Sequence, residues 1–145
     1  MIILAIDPGL RFGGCILEDG DNPFVFGGDI LTWSPGPALK ELIANVDVVF
    51  VERVDWSRSP LGWSAAVSAG VIIGVLQLMQ FKLNGDLHFV APSEWQKRVL
   101  PRGVRTRAEL KKASMETAQA LFPNAAILDD NQSDAVCLAY YGSSS

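Results

Sequence analysis

The sequence predicts an α/β fold: a mixed five-stranded sheet, three antiparallel strands plus two parallel ones, with helices on both faces. Three observations lead there. Residues 2–6 and 47–51 are unbroken or nearly unbroken apolar runs, the pattern of strands covered on both sides. Three strand-like segments follow one another at the start with only turns between them. From residue 37 onward, strand patterns alternate with helical ones.

Each element has its own reason. Residues 2–6 end at Asp7-Pro8-Gly9, where proline fixes φ and glycine permits a tight reversal. Residues 12–17 and 23–30 carry β-forming side chains on either side of Glu18-Asp19-Gly20-Asp21-Asn22, a turn cluster. The spacing of Leu39, Leu42 and Ile43 predicts a helix over 37–45, with Pro37 in its first turn. Residues 47–51 form the next strand and end at Glu52. A long helix rich in alanine and glycine is expected over 59–81, then a fifth strand over 87–91. Pro92-Ser93-Glu94-Trp95 opens a short helix, with Ser93 as its expected cap. Helices over 106–122, halted by Pro123, and over about 130–141 complete the chain.

At 145 residues, 49% of them hydrophobic and 19% charged, the chain is read as one folded domain over 1–142 with a flexible tail at 143–145. The longest apolar run, residues 65–79, is interrupted by Ser68, Gly70, Gly74 and Gln77, so a buried helix is expected and no membrane span. No segment resembles a secretion signal, and the chain is expected to be cytoplasmic. Cys15 and Cys137 stand in apolar contexts without a metal-ligand spacing and are read as packing residues. The lone His88 begins an apolar segment after a turn and is read as an ordinary strand residue rather than a metal ligand.

Asp7 and Glu52 each close an apolar strand. Sheets of this class bind ligands beyond the carboxyl ends of their strands. If the first and fourth strands are adjacent and parallel, both carboxylates meet in one pocket. Asp134 lies on the last helix beside the apolar Ala135-Val136-Cys137-Leu138-Ala139, where a carboxylate is poorly hydrated and needs a partner. Three neighbouring acids repel one another unless a cation neutralises them. Oxygen-only ligands suit Mg²⁺ or Mn²⁺, and a pair of such ions supports phosphodiester hydrolysis. The competing structural reading makes Asp7 and Asp134 caps and pairs Glu52 with Arg53 or Arg58.

MIILAIDPGLRFGG resembles the first strand and turn of RuvC-type Holliday junction resolvases, through Ile6, Asp7, Pro8, Gly9, Arg11 and Gly14. VVFVERV is similar to that family's strand ending in a catalytic glutamate, here Glu52, and NQSDAVCLAYYG to its last helix, here Asp134 and Ala135. APSEWQKRVL and KKASMETAQALFP resemble the segments between, in bacteriophage members especially. The resemblance implies a ribonuclease H-like fold, a Mg²⁺- or Mn²⁺-dependent endonuclease with two ions per site, and four-way DNA junctions as substrate. A homodimer through the 59–81 helix is implied as well. Many members carry a fourth acid three residues before the last aspartate, where this chain has Asn131. Asp130 shares the helix face of Asp134 and is taken as the fourth ligand, with Asn131 as the alternative.

The net charge of −4 argues against indiscriminate nucleic-acid binding, but the charge is segregated. Lys97, Arg98, Arg102, Arg105, Arg107, Lys111 and Lys112 fall in one short segment whose only acid is Glu109. Read beside a phosphodiester site, this segment and Arg11 and Arg58 are candidate DNA contacts, and the resemblance implies that Lys111 approaches the cleaved phosphate. Trp56 either stacks on an opened base or packs the domain; Trp63, inside the predicted helix, is read as packing. The rival readings are another ribonuclease H-like nuclease acting on flaps, branched DNA or RNA–DNA hybrids, an actin-like nucleotide-binding domain, and a noncatalytic DNA-binding module. The last two fit worse. Actin-like enzymes close two such domains around ATP, and a pure binding module has no need of the three acids.

Overall fold

The computed structural model describes residues 1–53, 67–68, 70–72, 74 and 86–144. Five strands form one sheet: β1 (Ile2–Asp7), β2 (Arg11–Glu18), β3 (Asp21–Asp29), β4 (Val48–Glu52) and β5 (Leu87–Val90). Their order is β3-β2-β1-β4-β5, with β1–β2 and β2–β3 antiparallel and β1–β4 and β4–β5 parallel. This is the expected mixed sheet of three antiparallel strands and two parallel additions. The helices described in full are α1 (Pro37–Ala44), α2 (Pro92–Val99), α3 (Arg107–Leu121) and α4 (Asp130–Ser143). Residues 67–68, 70–72 and 74 are helical, within the helix expected over 59–81; the rest of that segment, with Trp56, Arg58 and Trp63, lies outside the described residues.

Alternation along β1 divides the core in two. Ile3 and Ala5 join Cys15 and Leu17 of β2 under α2, α3 and α4, in a cluster that includes Trp95, Ala118 and Ala135 through Ala139. Leu4 and Ile6 point the opposite way, toward Leu39 and Ile43 of α1 and toward Ile72. Helices therefore cover both faces, and a central strand has no polar side to spare, which is why residues 2–6 read as continuously apolar. Both cysteines are free and buried among these side chains, as expected of packing residues. His88 is an exposed strand residue whose ring stacks on Phe50.

Local chemistry sets the element ends. Asp19 and Gly20 both adopt positive φ between the paired Glu18 and Asp21, the two-residue hairpin turn that Asp-Gly favours. Thr106 caps α3 in a reciprocal box with Glu109, whose carboxylate accepts from the Arg105 and Thr106 amides. Asp129 caps α4 by accepting from the Gln132 amide at 2.9 Å.

Two local expectations are corrected. Ser93 does not cap α2: the N-cap is Ala91, without a side-chain hydrogen bond, and Pro92 starts the helix at the position where its missing N–H costs nothing. The last helix also runs beyond residue 141, through Ser143. There the Ser143 and Ser144 hydroxyls donate back to the Tyr140 and Tyr141 carbonyls.

Candidate active site

The parallel register of β1 and β4 ends at Ile6↔Val51, so Asp7 and Glu52 stand side by side one residue beyond. Each keeps the strand alternation of the face that α4 covers, and both project toward that helix. The close approach of α4 is made possible by Gly13 on β2. A Cβ there would lie 2.0 Å from the Asn131 carbonyl oxygen, so only glycine lets the first turn of α4 rest on the sheet. Gly14, the glycine quoted in the motif, serves the opposite face, where a Cβ would lie 2.2 Å from the Phe26 ring.

The result is a cavity of about 350 Å³ lined by Asp7, Glu52, Asp130, Asp134, Arg107 and Lys111, among others. Asp7 is buried, only 7% exposed. Burial, followed by the charge of Glu52 and a hydrogen bond shared with it, lifts the Asp7 carboxyl well above the usual range. Burial likewise pushes Asp134 up to about 7, against the opposing pull of a hydrogen bond from Ser114. Together they form a concentration of negative charge that protein cations only partly offset.

Each carboxylate other than Asp7 is held by a donor from a neighbouring helix. The Trp95 indole of α2 donates to Glu52 Oε1 at 2.9 Å. The Ser114 hydroxyl of α3 bonds Asp134 Oδ1, and Ser114 also meets the Ser133 hydroxyl at 2.9 Å. Lys111 pairs with Asp130 at 3.4 Å. As these side chains stand, no group of three acidic, histidine or cysteine residues among the described residues is drawn close enough to hold an ion. The four acids nevertheless offer an all-oxygen donor set.

Of the two candidates for the fourth position, Asp130 lines the cavity and Asn131 does not; the Asn131 backbone is instead packed against Gly13. The expected DNA contacts divide into groups. Arg107 and Lys111 face the acidic cavity, whereas Lys97, Arg98 and Arg105 line a second groove. Arg98 also lies over the Tyr141 ring, 5.3 Å from its centre. Lys112 points elsewhere and pairs loosely with Glu116 at 3.9 Å. Arg11 is tethered to the α4 cap through Asp129 at 3.4 Å, with most of its side chain exposed. Trp56 and Arg58 lie outside the described residues.

Trp95 and Ser114 were not legible as site residues. Their roles arise from contacts 43 and 20 residues away in sequence.

A sheet of this order, with acids at the ends of β1 and β4 and on the helix crossing them, has the ribonuclease H-like fold. Within it, the chain shares the fold of RuvC. It superposes on Thermus thermophilus RuvC in complex with Holliday junction substrate with a TM-score of 0.63 and 17% identity, over 99% of this chain and 96% of that one. A second Thermus thermophilus RuvC structure gives a TM-score of 0.61 and 16% identity, over 97% and 92%. No family model and no curated protein sequence matches the chain. Among the described residues, no helix is long and apolar enough to cross a membrane.

Proposed function

We propose that this chain is a structure-selective endonuclease that resolves four-way DNA junctions by paired, divalent-metal-dependent phosphodiester hydrolysis. One observation carries the reading: Asp7, Glu52, Asp130 and Asp134 line a single cavity together with Arg107 and Lys111. A cluster of four carboxylates with a deeply buried member fits hard cations. Mg²⁺ or Mn²⁺, two ions per site, would neutralise these acids and supply an activated water for attack on phosphorus.

The chain's own residues then have defined tasks. Asp7, Glu52, Asp134 and Asp130 are the ligands. Trp95 and Ser114 each bond one carboxylate oxygen, which constrains how Glu52 and Asp134 present themselves. Arg107 and Lys111 bring positive charge to the mouth, where the phosphate would enter and where charge develops as the bond breaks.

The pairing of cuts calls for two copies. A four-way junction offers two equivalent strands, and a two-fold dimer offers two matching sites. Val67 and Val71 support a dimer surface on the helical stretch: one turn apart, they are 54% and 46% exposed, while Ile72 beside them is buried.

The test is nicking of four-way junction, flap, linear duplex and RNA–DNA hybrid substrates in Mg²⁺, alongside solution mass at micromolar concentration. Paired nicks in the junction by a dimer are expected. Asp7→Asn, Glu52→Gln and Asp134→Asn should abolish cutting and leave binding largely intact, because less negative charge eases the approach of phosphate. Wild-type turnover by any of these variants would remove that residue from the site. A monomer cutting all four substrates alike would point to a general ribonuclease H-like nuclease instead.

A further inference from the structure

Asp134 and its sequence neighbour Ser133 leave the α4 axis in different directions, because successive residues of a helix are turned by about 100° from one another. The link between their side chains runs through α3 instead. The Ser114 hydroxyl donates to Asp134 Oδ1 and lies 2.9 Å from the Ser133 hydroxyl. Both serines are sealed in the interior, Ser114 at 1% and Ser133 at 0% exposure. A poorly matched contact between them has no access to bulk water to repair it.

Counting hydrogens decides which way these hydroxyls point. Each serine hydroxyl has one hydrogen to give. A carboxylate that holds a metal ion is ionised and only accepts, so the Ser114 hydrogen is committed to Asp134. The Ser133 hydrogen then has two acceptors within reach, Ser114 Oγ and the Asp130 carbonyl oxygen, each at 2.9 Å. Bonding its own helix carbonyl is the usual local habit of a helical serine. Here that choice would leave two buried hydroxyl oxygens facing each other at 2.9 Å with no hydrogen between them. The Asp130 carbonyl can do without the bond, because the helix supplies it with the amide four residues on. Ser114 Oγ has no such substitute: among the described residues nothing else donates to it.

We propose that Ser133 is a positioning residue for Asp134, in a relay where Ser133 donates to Ser114 and Ser114 donates to the acid. The inference rests on the reading of Asp134 as a metal ligand. A hydroxyl that accepts a hydrogen bond becomes a stronger donor, so Ser133 strengthens the bond that Ser114 makes. The relay also ties the acid to both helices. From α3 comes the donor, and from α4, through Ser133, comes the group that aims it. Cys137, one turn beyond Ser133, donates from its thiol to the Ser114 carbonyl at 3.7 Å and so helps hold the same stretch of α3 in place.

Direct Mn²⁺ titration of the full chain tests the relay without any need for cleavage. The proteins compared are wild type, Ser114→Ala, Ser133→Ala and the double variant. Ser114→Ala removes the group that touches the acid and is expected to weaken Mn²⁺ binding roughly 10- to 100-fold. Ser133→Ala acts one bond further out and is expected to weaken it roughly 3- to 10-fold. In the Ser114→Ala background the same Ser133→Ala change should alter affinity less than about 1.5-fold, since nothing is left for it to act through. Ser133→Thr keeps the hydroxyl and should recover affinity to within about twofold of wild type.

Wild-type Mn²⁺ affinity in Ser133→Ala would overturn the proposal and leave Ser133 bonded only to its own helix. An equal loss from Ser133→Ala in both backgrounds would overturn it too, because the effect would then not pass through Ser114. If threonine is too large for the interior, the alanine cycle decides alone. Wild type that binds no Mn²⁺ would instead remove the metal reading of the cavity, and the relay with it.

Discussion

The Trp95 indole donates to Glu52 Oε1 at 2.9 Å from a side chain only 1% exposed, so a core residue of α2 fixes an acid at the end of β4. Indole N–H can only donate, and a carboxylate can only accept when ionised, so the contact selects one orientation of Glu52. Trp95→Phe keeps most of the apolar ring and removes the donor. The expected result is a roughly 10- to 100-fold loss in metal affinity or turnover, the usual scale for removing a group that orients a metal ligand. The measurement is cleavage rate against Mg²⁺ concentration, with direct Mn²⁺ titration. A curve displaced to higher metal and partly recovered at saturation supports the assignment. An unchanged curve would reduce Trp95 to packing.

Gly13 carries a second, purely steric prediction. Its absent side chain leaves room for the Asn131 carbonyl, and a Cβ would be 2.0 Å from that oxygen and 2.3 Å from its carbon. Backbone cannot yield as a flexible side chain would, so Gly13→Ala must lift α4 from the sheet. A loss of at least about 1–3 kcal/mol in unfolding free energy is expected, with loss of cleavage. Gly36→Ala is the steric control: nothing lies within 4 Å of its Cβ position, so its cost should be limited to about 1 kcal/mol for placing alanine at the N-cap of α1. Equal urea midpoints for the two variants would contradict this account of the helix approach.

These two residues mark the limit of what the sequence discloses. Asp7 and Glu52 were legible because an apolar run that stops at an acid announces both a buried strand and the exposed end of that strand. Asp134 was legible because a carboxylate beside five buried residues of α4 needs a reason to be there. The antiparallel run of β1, β2 and β3 was legible from segments with only turns between them, whereas the pairing of β1 with β4 entered as a condition that the structure meets. Trp95, Ser114 and Gly13 left no such mark, because each acts across the fold on a partner that local periodicity does not identify. Ser93 misled for the opposite reason: its chemistry suits a cap, but Pro92 had already taken the first helical position.

The pH dependence of stability has a definite sign. Burial raises the Asp7 carboxyl, and burial raises Asp134 to about 7 from an ordinary value of 3.8. Between those limits the folded chain holds more protons than the unfolded chain. The slope of unfolding free energy with pH follows unfolded minus folded proton number, so this contribution is negative. Stability from this source is fully present below the unfolded pKa and is lost as pH rises through the folded one. The urea midpoint of chelator-treated wild type should therefore fall, relative to Asp134→Asn, between about pH 4 and 7. Mg²⁺ should restore part of the loss at the upper end. A wild-type midpoint that rises relative to the variant would refute the assignment of Asp134 as a buried, raised carboxyl.

Asp130 and Asn131 are adjacent in sequence but are expected to differ in consequence. Asp130 lines the acidic cavity and pairs with Lys111 at 3.4 Å, whereas Asn131 is engaged through its backbone against Gly13. A charged oxygen also binds Mg²⁺ better than an amide. Asp130→Asn is therefore expected to slow cleavage at least about tenfold, and Asn131→Ala less than about twofold. Rates at several Mg²⁺ concentrations separate lost metal affinity from a changed chemical step. Equal effects from the two variants, or a larger one at Asn131, would move the fourth ligand.

Arg105, Arg107 and Lys111 should make DNA binding steeply dependent on salt. Arg107 and Lys111 stand at the acidic cavity and Arg105 at the adjoining groove, so one strand passing through both would meet all three. Each phosphate neutralised releases condensed counterions, which contributes roughly 0.9 to the slope of log affinity against log salt. The triple variant Arg105→Ala, Arg107→Ala, Lys111→Ala is expected to lower the slope by up to about 2.7, if each contact is independent. Lys111 complicates the sum, because removing it also unpairs Asp130 and places a free negative charge beside the entering phosphate. Its single variant should therefore lose more affinity than its share of the slope predicts, and Lys111→Ala with Asp130→Asn should recover some of it. Equilibrium binding to a four-way junction at several salt concentrations, with the single and double variants side by side, measures both quantities. A triple variant with unchanged affinity and slope would leave the basic segment as no more than a solvated face.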